Sequence, residues 1–202
     1  IRNLCINEND VLVSYDVCSL FTNVPLAETI NILADKAFSN NWFNETHDLS
    51  ITKSDLIELL TVATKDQLFQ FDGALYKQVD GVAMGSPLGP LLANTFLCWI
   101  EETLERDNKL PSFYKRYVDD TLVILDSVST AESFLVTLNE CHPSLHFTME
   151  LASDNKLPFL GFEIIKNGRK LDTKVYRKST NTGLLLHFQS HVDNRYKRSL
   201  LQ

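Results

Sequence analysis

The chain has 202 residues, 44% of which are hydrophobic, and a net charge of −7. This length and composition suit one large domain, or a core with an appendage, that buries a sizeable hydrophobic core. No apolar run reaches the roughly 18 residues of a membrane-spanning helix and no signal peptide opens the chain, so we expect no membrane partner.

The cysteines indicate the cellular compartment, and the distribution of charge bears on the partners of the chain. The four cysteines are far apart and form no C-x-x-C pair, which predicts buried free thiols in an intracellular, reducing compartment. Residues 166–202 hold nine Lys and Arg against two acids, a charge of +7, whereas residues 1–165 hold ten against 24, a charge of −14. A basic C-terminal stretch can follow a phosphate backbone while an acidic body holds metal ions, although a solvated face rich in lysine explains the charge equally well.

The hydrophobic pattern predicts a mixed order of strands and helices. The elements expected in the first half are a strand over 10–15 that ends at Asp16, a helix over 26–38, a loop over 42–50, a capped helix from Thr52 through Ala63, a hairpin of 67–71 and 74–77, and a helix over 87–106. Those expected in the second half are a hairpin of 113–116 and 121–125, a helix over 130–141, a strand over 145–151, a hairpin of 159–165 and 171–177, and a helix over 194–201. Hairpins among helices predict an α+β fold, an antiparallel sheet with helices packed on one face, and the element order fits a ferredoxin-like split β-α-β core.

Two adjacent carboxylates stand at the tip of the first hairpin in the second half. In Tyr117-Val118-Asp119-Asp120, the two acids repel each other and do not form the Asn-Gly or Asp-Gly pair that such turns prefer. A site that tolerates this repulsion is often a divalent-cation site, because the metal reverses the sign of the local field. The split β-α-β order places the end of the first strand beside this tip, and therefore Asp16 next to both acids. Three carboxylates on adjacent strands suit two Mg²⁺ ions about 4 Å apart.

Three stretches of the chain resemble the motifs of one enzyme family. Asp16, followed five residues later by Phe21, resembles motif A of reverse transcriptases, residues 81–94 resemble motif B, and residues 117–120 resemble motif C. The three occur in the order of the family at workable spacing, and the resemblance covers nearly the whole chain. It implies the fold of a polymerase palm.

Further stretches resemble the reverse transcriptases of Penelope-like retroelements, which are related to telomerase reverse transcriptase. They lie at 19–25, 156–160, 175–183, 186–191 and 196–198. Group II intron-type reverse transcriptases share the stretch over 85–94 and are the nearest competitor. Many Penelope-like proteins also carry a GIY-YIG endonuclease module, which is not visible in this sequence.

The resemblance implies RNA-templated DNA synthesis as part of a retroelement. The implied reaction is two-metal nucleotidyl transfer from a dNTP to a primer 3′-hydroxyl, with an RNA template, a DNA primer and dNTPs as partners and two Mg²⁺ ions, or Mn²⁺ in their place, as cofactors. A nuclear site of action is also implied. We expect a segment of a longer protein, with a palm over 1–165 whose fingers are mostly missing and a basic primer grip and start of a thumb over 166–202. Such a segment can carry the catalytic acids without being active alone.

The roles of individual residues follow from the same resemblance. The implied metal-binding residues are Asp16, Val17, Asp119 and Asp120, of which the three acids are catalytic. The implied dNTP-binding residues are Ser19, Leu20, Phe21, Met84 and Gly85, with Phe21 as a steric gate against a ribose 2′-hydroxyl. The implied primer and template contacts are Ser86, Pro87, Tyr117, Val118, Phe159, Leu160 and Gly161.

Other interpretations stay open. A catalytically inactive, reverse-transcriptase-like module would bind nucleic acid without the reaction, although three intact acids argue against it. An RNA-templated RNA polymerase would use the same metals, and Phe21 argues against that. Lys115 and Arg116 either approach the primer backbone or limit aggregation at a strand edge.

Overall fold

The computed structural model describes residues 4–39, 42–181, 183, 186, 187 and 189–200, apart from the side chain of Trp42. Its strands are β1 (Val11–Val17), β2 (Leu68–Phe71), β3 (Ala74–Lys77), β4 (Phe113–Tyr117), β5 (Asp120–Leu125), β6 (Phe147–Leu151), β7 (Lys156–Phe159), β8 (Phe162–Asn167) and β9 (Lys170–Val175). Its helices are α1 (Leu20–Asn23), α2 (Leu26–Phe38), α3 (Trp42–His47), α4 (Lys53–Thr64), α5 (Gly89–Arg106), α6 (Val128–Cys141) and α7 (Asn194–Ser199). Among these described helices, none is long and apolar enough to span a membrane.

The main sheet is antiparallel and has four strands in the order β4-β5-β1-β6. β1 lies between β5 and β6, so that Tyr15 is opposite Thr121 on one side and Met149 on the other. Strands that are distant along the chain are therefore neighbours in the sheet. This pairing brings the end of β1 beside the turn between β4 and β5, as expected for a split β-α-β core.

Alternation along the strands gives the main sheet two different faces. Val13 and Tyr15 of β1 pack with residues of α2, α5 and α6 in the larger core cluster. Leu12 and Leu122 point to the opposite face, where they pack with Leu157 of β7 in a second cluster. The helices thus cover one face, as predicted, and the three-stranded sheet β7-β8-β9 packs on the other.

Local capping sets where two of the helices begin. α4 follows Thr52, whose hydroxyl accepts the Asp55 N–H (3.1 Å) while the Asp55 carboxylate accepts the Thr52 N–H (2.8 Å), so the predicted capping box is confirmed. α6 begins at Val128, earlier than predicted, because the Ser127 hydroxyl accepts the Thr130 N–H (3.2 Å) and caps the helix there.

The prediction of a loop over 42–50 is wrong, because this segment contains α3. The helix has only six residues, which is too short for an apolar repeat to show in the sequence. Its Phe43 ring lies near the His47 ring one turn later, with ring centroids 5.1 Å apart. A contact between neighbouring turns thus accompanies a helix that the hydrophobic pattern does not reveal.

The strand predicted over 159–165 is also wrong in its first part. Leu160 and Gly161 both have positive φ (48° and 76°) and form the turn between β7 and β8. β7 itself was not predicted, because Pro158 argues against a strand. β7 is an edge strand of its sheet, which is where a strand tolerates proline.

The C-terminal tail and the cysteines differ in detail from the sequence predictions. α7 ends at Ser199, and residue 201 of the predicted helix lies outside the described residues. All four cysteines are free thiols, but Cys5 is exposed and the other three are only partly buried, so the prediction of buried thiols is wrong. The division into a palm over 1–165 and a basic region over 166–202 stays a prediction.

Candidate active site

Three carboxylates meet where β1 ends beside the β4–β5 turn. Tyr15 of β1 pairs with Thr121 of the antiparallel strand β5. Asp16 follows Tyr15 and Asp120 precedes Thr121, so the two acids stand at the same level of neighbouring strands. Both belong to the face of the sheet opposite the helices. Asp119 precedes β5 in the turn. The register of the sheet therefore brings the three predicted acids together.

The three acids repel one another. The pKa of Asp16 is raised, first by burial and then by the Asp119 carboxylate, while a backbone hydrogen bond from Val17 opposes the shift. The pKa of Asp120 is raised by burial and by the charges of Asp119 and Asp16. Carboxylates in this situation hold protons more tightly or gain from a nearby cation. The arrangement thus favours the approach of positive charge.

The chemistry of these donors fits a hard divalent cation, because ionised carboxylate oxygens are ligands that Mg²⁺ prefers. The side chains do not stand in a ligating arrangement: over the ranges that the structure describes, no group of three or more His, Cys, Asp and Glu side chains could hold one ion. Val17 is 3% exposed, so its side chain is in the core and only its main chain could face an ion. The metal site stays a prediction that rests on donor chemistry.

Asp16 and Asp120 line a cleft of about 460 Å³, which we call the acidic cleft. The predicted primer-grip residues Phe159, Leu160 and Gly161 line the same cleft. Their turn is bonded to the segment after β9, since the Tyr176 N–H donates to the Gly161 carbonyl oxygen (2.9 Å). The structure therefore places two of the three predicted catalytic acids and the predicted primer grip in one opening.

The chain leaves β1 through a strained turn. The Cys18 N–H donates to the His146 carbonyl oxygen (2.8 Å), and Ser19 then adopts a left-handed conformation with φ 50°. Ser19 is exposed, whereas Leu20 is 3% exposed and packs in the larger core. Leu20 can therefore offer a nucleotide only its main chain, and the dNTP contacts of both residues stay predictions.

Phe21 connects this turn with the segment over 81–94. Its carbonyl oxygen accepts the Val82 N–H (2.7 Å). A Cβ atom at position 89 would lie 3.4 Å from the Phe21 ring, so Gly89 lets the ring approach the start of α5 closely. The ring is only partly buried where it packs against the larger core. It contributes to the core and keeps an accessible part, and its action as a steric gate stays a prediction.

The predicted contacts at 84–87 line a second opening of about 1060 Å³, which we call the loop groove. They are Met84, Gly85, Ser86 and Pro87. Met84 is 74% exposed, and Gly85 has a φ of +92° with open space where a side chain would be. Residues of the β2–β3 hairpin, including Phe69, line the same groove. The remaining predicted contacts, Tyr117 and Val118, are exposed at the β4–β5 turn.

Eight residues that line the acidic cleft were not assigned to the site from the sequence, and five of them carry a polar or charged group there without being largely buried. These five are Ser14, Thr148, Glu150, Tyr176 and Lys178. The alternation of β6 shows that Thr148 and Glu150 are exposed, but their place in the cleft depends on the pairing of β6 with β1, which no local pattern reveals. For Lys178, the basic composition after residue 165 was the available signal.

Comparison with known proteins agrees with this geometry. Residues 3–163 match the family model described as "Reverse transcriptase (RNA-dependent DNA polymerase)". No curated protein sequence matches the chain.

Solved polymerase structures share the fold. Apo telomerase from Candida tropicalis has a TM-score of 0.62 at 17% sequence identity, over 84% of this chain and 33% of that one. Telomerase from Candida albicans, in complex with a TWJ fragment of telomeric RNA, has a TM-score of 0.60 at 13% identity, over 83% and 30% of the two chains. The BmCPV RNA-dependent RNA polymerase at its elongation state has a TM-score of 0.50 at 13% identity, over 79% and 16%. The chain thus spans about a third of the length of these telomerase chains.

The motifs, the fold and the family match lead to one assignment. The predicted α+β fold, with an antiparallel sheet and packed helices, is confirmed by the likeness to the telomerase structures. The family match includes Asp16, Asp119, Asp120 and the whole stretch over 81–94. The narrower assignment to Penelope-like elements and the comparison with group II intron-type enzymes stay predictions. The chain belongs to the reverse transcriptase family, whose members are RNA-directed DNA polymerases and hence nucleotidyltransferases.

Proposed function

We propose that the chain is the palm of an enzyme that copies an RNA template into DNA by adding nucleotides from dNTPs to a primer 3′-hydroxyl. The observation that carries this proposal is the cluster of Asp16, Asp119 and Asp120 at the end of the main sheet of a reverse transcriptase family member. The mutual repulsion of these acids costs stability, and a purely structural role does not explain it. A reaction that requires three carboxylates does.

The three acids are the residues that would hold two Mg²⁺ ions, or Mn²⁺ in their place. Two bound ions would activate the primer 3′-hydroxyl and neutralise charge on the triphosphate and the leaving pyrophosphate. The contribution of the protein is position, because Asp16 and Asp120 extend from the paired strands β1 and β5. Phosphoryl transfer depends mainly on such positioning and on charge neutralisation.

The two openings suit different parts of the substrate. The loop groove, with its exposed Met84 and open Gly85, suits the incoming dNTP and the template base. The acidic cleft, with the Phe159–Gly161 turn, suits the primer end, and Lys178 adds positive charge there. RNA as a partner accords with the similar Candida albicans telomerase, which is a complex with a fragment of telomeric RNA.

Removing the ring of Phe21 is expected to reduce the preference for dNTPs over rNTPs. If the ring fills the space of a ribose 2′-hydroxyl, Phe21→Val relieves a steric conflict and raises the relative use of rNTPs by about 10- to 100-fold. The measurement is single-nucleotide incorporation with each nucleotide type, expressed as a ratio of kcat/KM values. Phe21→Tyr, which keeps the ring, is the matched control. An unchanged ratio in Phe21→Val would assign the ring to the core alone.

The wider biological setting rests on the sequence resemblance. The proposed parent is a Penelope-like retroelement that acts in the nucleus, with a GIY-YIG endonuclease module elsewhere in the full-length protein. A group II intron-type enzyme is the competing assignment, since both share residues 85–94. A catalytically inactive module that binds nucleic acid is the alternative function.

Primer extension on an RNA template with Mg²⁺ and dNTPs tests the proposed function. The assay uses the full-length protein, with native fingers and thumb segments around this palm, beside its Asp16→Asn variant. Extension by the parent alone is expected. If both proteins are silent while folded and bound to primer–template, the inactive module is the better assignment. Preferential use of rNTPs would instead indicate an RNA polymerase.

A further inference from the structure

The turn that carries Asp119 is strained. Tyr117 pairs with Asp120, so Val118 and Asp119 form a two-residue hairpin loop. Val118 has φ 57°, and Asp119 is not among the residues with positive φ. Positive φ at the first central residue alone is the pattern of a type II′ turn, where glycine is preferred. A β-branched residue in this conformation is an outlier that the surrounding structure must hold in place.

Arg116, in the preceding strand β4, holds the turn in this conformation through hydrogen bonds. Its Nη1 donates to the Val118 carbonyl oxygen (2.9 Å), which is part of the strained turn. The same nitrogen donates to the Asn94 side-chain oxygen (3.1 Å) on α5. A guanidinium that bonds both groups fixes the turn relative to the helix that follows the loop groove.

The rest of the Arg116 guanidinium is anchored to α5. Nε and Nη2 donate to the two carboxylate oxygens of Glu101, at 2.6 and 2.9 Å, and Nη2 also contacts the Cys98 sulfur at 3.4 Å. The Arg116 side chain is 9% exposed. A bidentate pair in this setting has a defined geometry and is well shielded from water.

All five N–H donors of Arg116 therefore have an acceptor within the protein. A primer phosphate would have to displace one of these partners. The sequence left two roles open for Arg116, a primer contact and an edge charge. Neither fits a guanidinium whose side chain is only 9% exposed and whose N–H groups all have acceptors within the protein. Lys115 is exposed and keeps both possibilities.

We propose that Arg116 is a positioning residue for catalysis, which holds the Val118 carbonyl and thereby aims Asp119, using Glu101 and Asn94 of α5 as its support. This inference rests on the proposed function, because it concerns the placement of a catalytic acid. It also links two parts of the site, since α5 begins at the end of the loop groove and the turn lies beside the acidic cleft. Movement of α5 would be transmitted to Asp119 through one side chain.

The test compares Arg116→Lys with a double variant that also contains Val118→Gly. Lysine keeps the charge but cannot bond Val118, Asn94 and both Glu101 oxygens together. Displacement of a catalytic group by about 1 Å costs on the order of 100-fold in rate, so kcat of Arg116→Lys should fall by about that factor. The KM for dNTP and the Kd for primer–template should stay nearly unchanged. Glycine adopts the left-handed conformation without strain, so the double variant should recover at least about tenfold of the lost kcat.

Rescue is scored as kcat per folded molecule, because relief of strain by glycine at 118 also stabilises an Arg116→Lys protein that is only partly folded. A gain that remains after this normalisation separates positioning from a general structural role. Lys109→Gln, which removes an exposed charge at a residue that lines neither the acidic cleft nor the loop groove, is the matched control and should keep the parent kcat. A raised Kd with unchanged kcat in Arg116→Lys would overturn the proposal in favour of a primer contact. A double variant no faster than Arg116→Lys would overturn it as well.

Amide hydrogen exchange makes the test independent of polymerase activity. Exchange at residues 117–120 should be faster in Arg116→Lys than in the parent, while exchange in β1 and α5 stays the same. Unchanged exchange at the turn would refute the positioning role. If the parent extends no primer, the proposed function fails on that result, whereas the exchange data still decide whether Arg116 holds the turn.

Discussion

Replacement of Gly81 by alanine is expected to lower the free energy of unfolding by about 2–4 kcal/mol, from about 1 kcal/mol for the left-handed conformation and the remainder for steric overlap. Gly81 has a φ of +78°, and an added Cβ atom would lie 2.5 Å from the Thr22 carbonyl oxygen and 2.9 Å from that of Phe21. Both neighbours are backbone atoms and cannot rotate away. Because small domains are stable by only about 5–15 kcal/mol, this is one of the most damaging single changes available in the chain.

The location of Gly81 explains why the overlap cannot be relieved cheaply. The residue before it, Asp80, accepts the Leu26 N–H (3.2 Å) at the start of α2, and the residue after it, Val82, donates to the Phe21 carbonyl oxygen. Hydrogen bonds of both neighbouring residues thus hold Gly81 close to the backbone of Phe21 and Thr22. The change should also displace the neighbouring Thr22, which lines the loop groove, and reduce primer extension in the protein that remains folded.

Gly73→Ala is the matched control for this prediction. Gly73 has nearly the same φ, +76°, but nothing lies within 4 Å of the position of an added Cβ atom. Its replacement should cost only about 1 kcal/mol, the strain of the left-handed conformation. Urea or guanidinium unfolding of the two variants and the parent measures the difference. Equal losses at both positions would contradict the claim that backbone overlap makes Gly81 indispensable.

Local patterns predicted the elements of the site but not their contacts. The alternation around β1 and β5 and the acids at their ends were sufficient to predict that Asp16, Asp119 and Asp120 meet, because an antiparallel split β-α-β order allows few other arrangements. The side of the cleft that β6 contributes depends on the pairing of Asp16 with Thr148 across 132 residues of sequence, which no local signal specifies.

The same limit applies to Arg116. A basic residue before a strand turn indicates either a substrate contact or an exposed charge, and the sequence offers no means to choose. Its bond to Glu101 depends on how α5 lies against β4, a packing relation between elements. The left-handed Val118 is likewise invisible in sequence, because a valine there argues against the very turn that it forms. Strain of this kind is expected where function opposes local preference.

Asp119→Asn is expected to abolish primer extension and to stabilise the fold at neutral pH. Loss of one of three carboxylates that neutralise the metal ions removes several kcal/mol of transition-state stabilisation, so kcat should fall by about 1,000-fold or more. The pKa values of Asp16 and Asp120 are raised first by burial and then by the charge of Asp119, which the same change removes. Relief of this repulsion at partly exposed groups should add about 0.5 kcal/mol to the free energy of unfolding.

The stabilisation has a definite pH dependence. When the folded-state pKa of an acid is raised, the folded chain binds protons more tightly than the unfolded chain, so its contribution to stability is present at low pH and is lost as pH rises through the folded-state pKa. Asp16 and Asp120 therefore weaken the parent at neutral pH. The advantage of Asp119→Asn should be present at pH 7 and decline as pH falls through the raised folded-state pKa values of Asp16 and Asp120, because these two groups then lose the charges that Asp119 repels.

Thermal unfolding from pH 3 to pH 8 and single-turnover extension at neutral pH measure the two effects on the same protein. Asp154→Asn, the same substitution at an exposed loop residue, should leave both quantities at the parent values. An inactive Asp119→Asn protein with a lower melting temperature at pH 7 would mean that Asp119 stabilises the turn and that activity was lost through the fold. Loss of activity together with gain of stability is the combination expected of a functional cluster of mutually repelling acids.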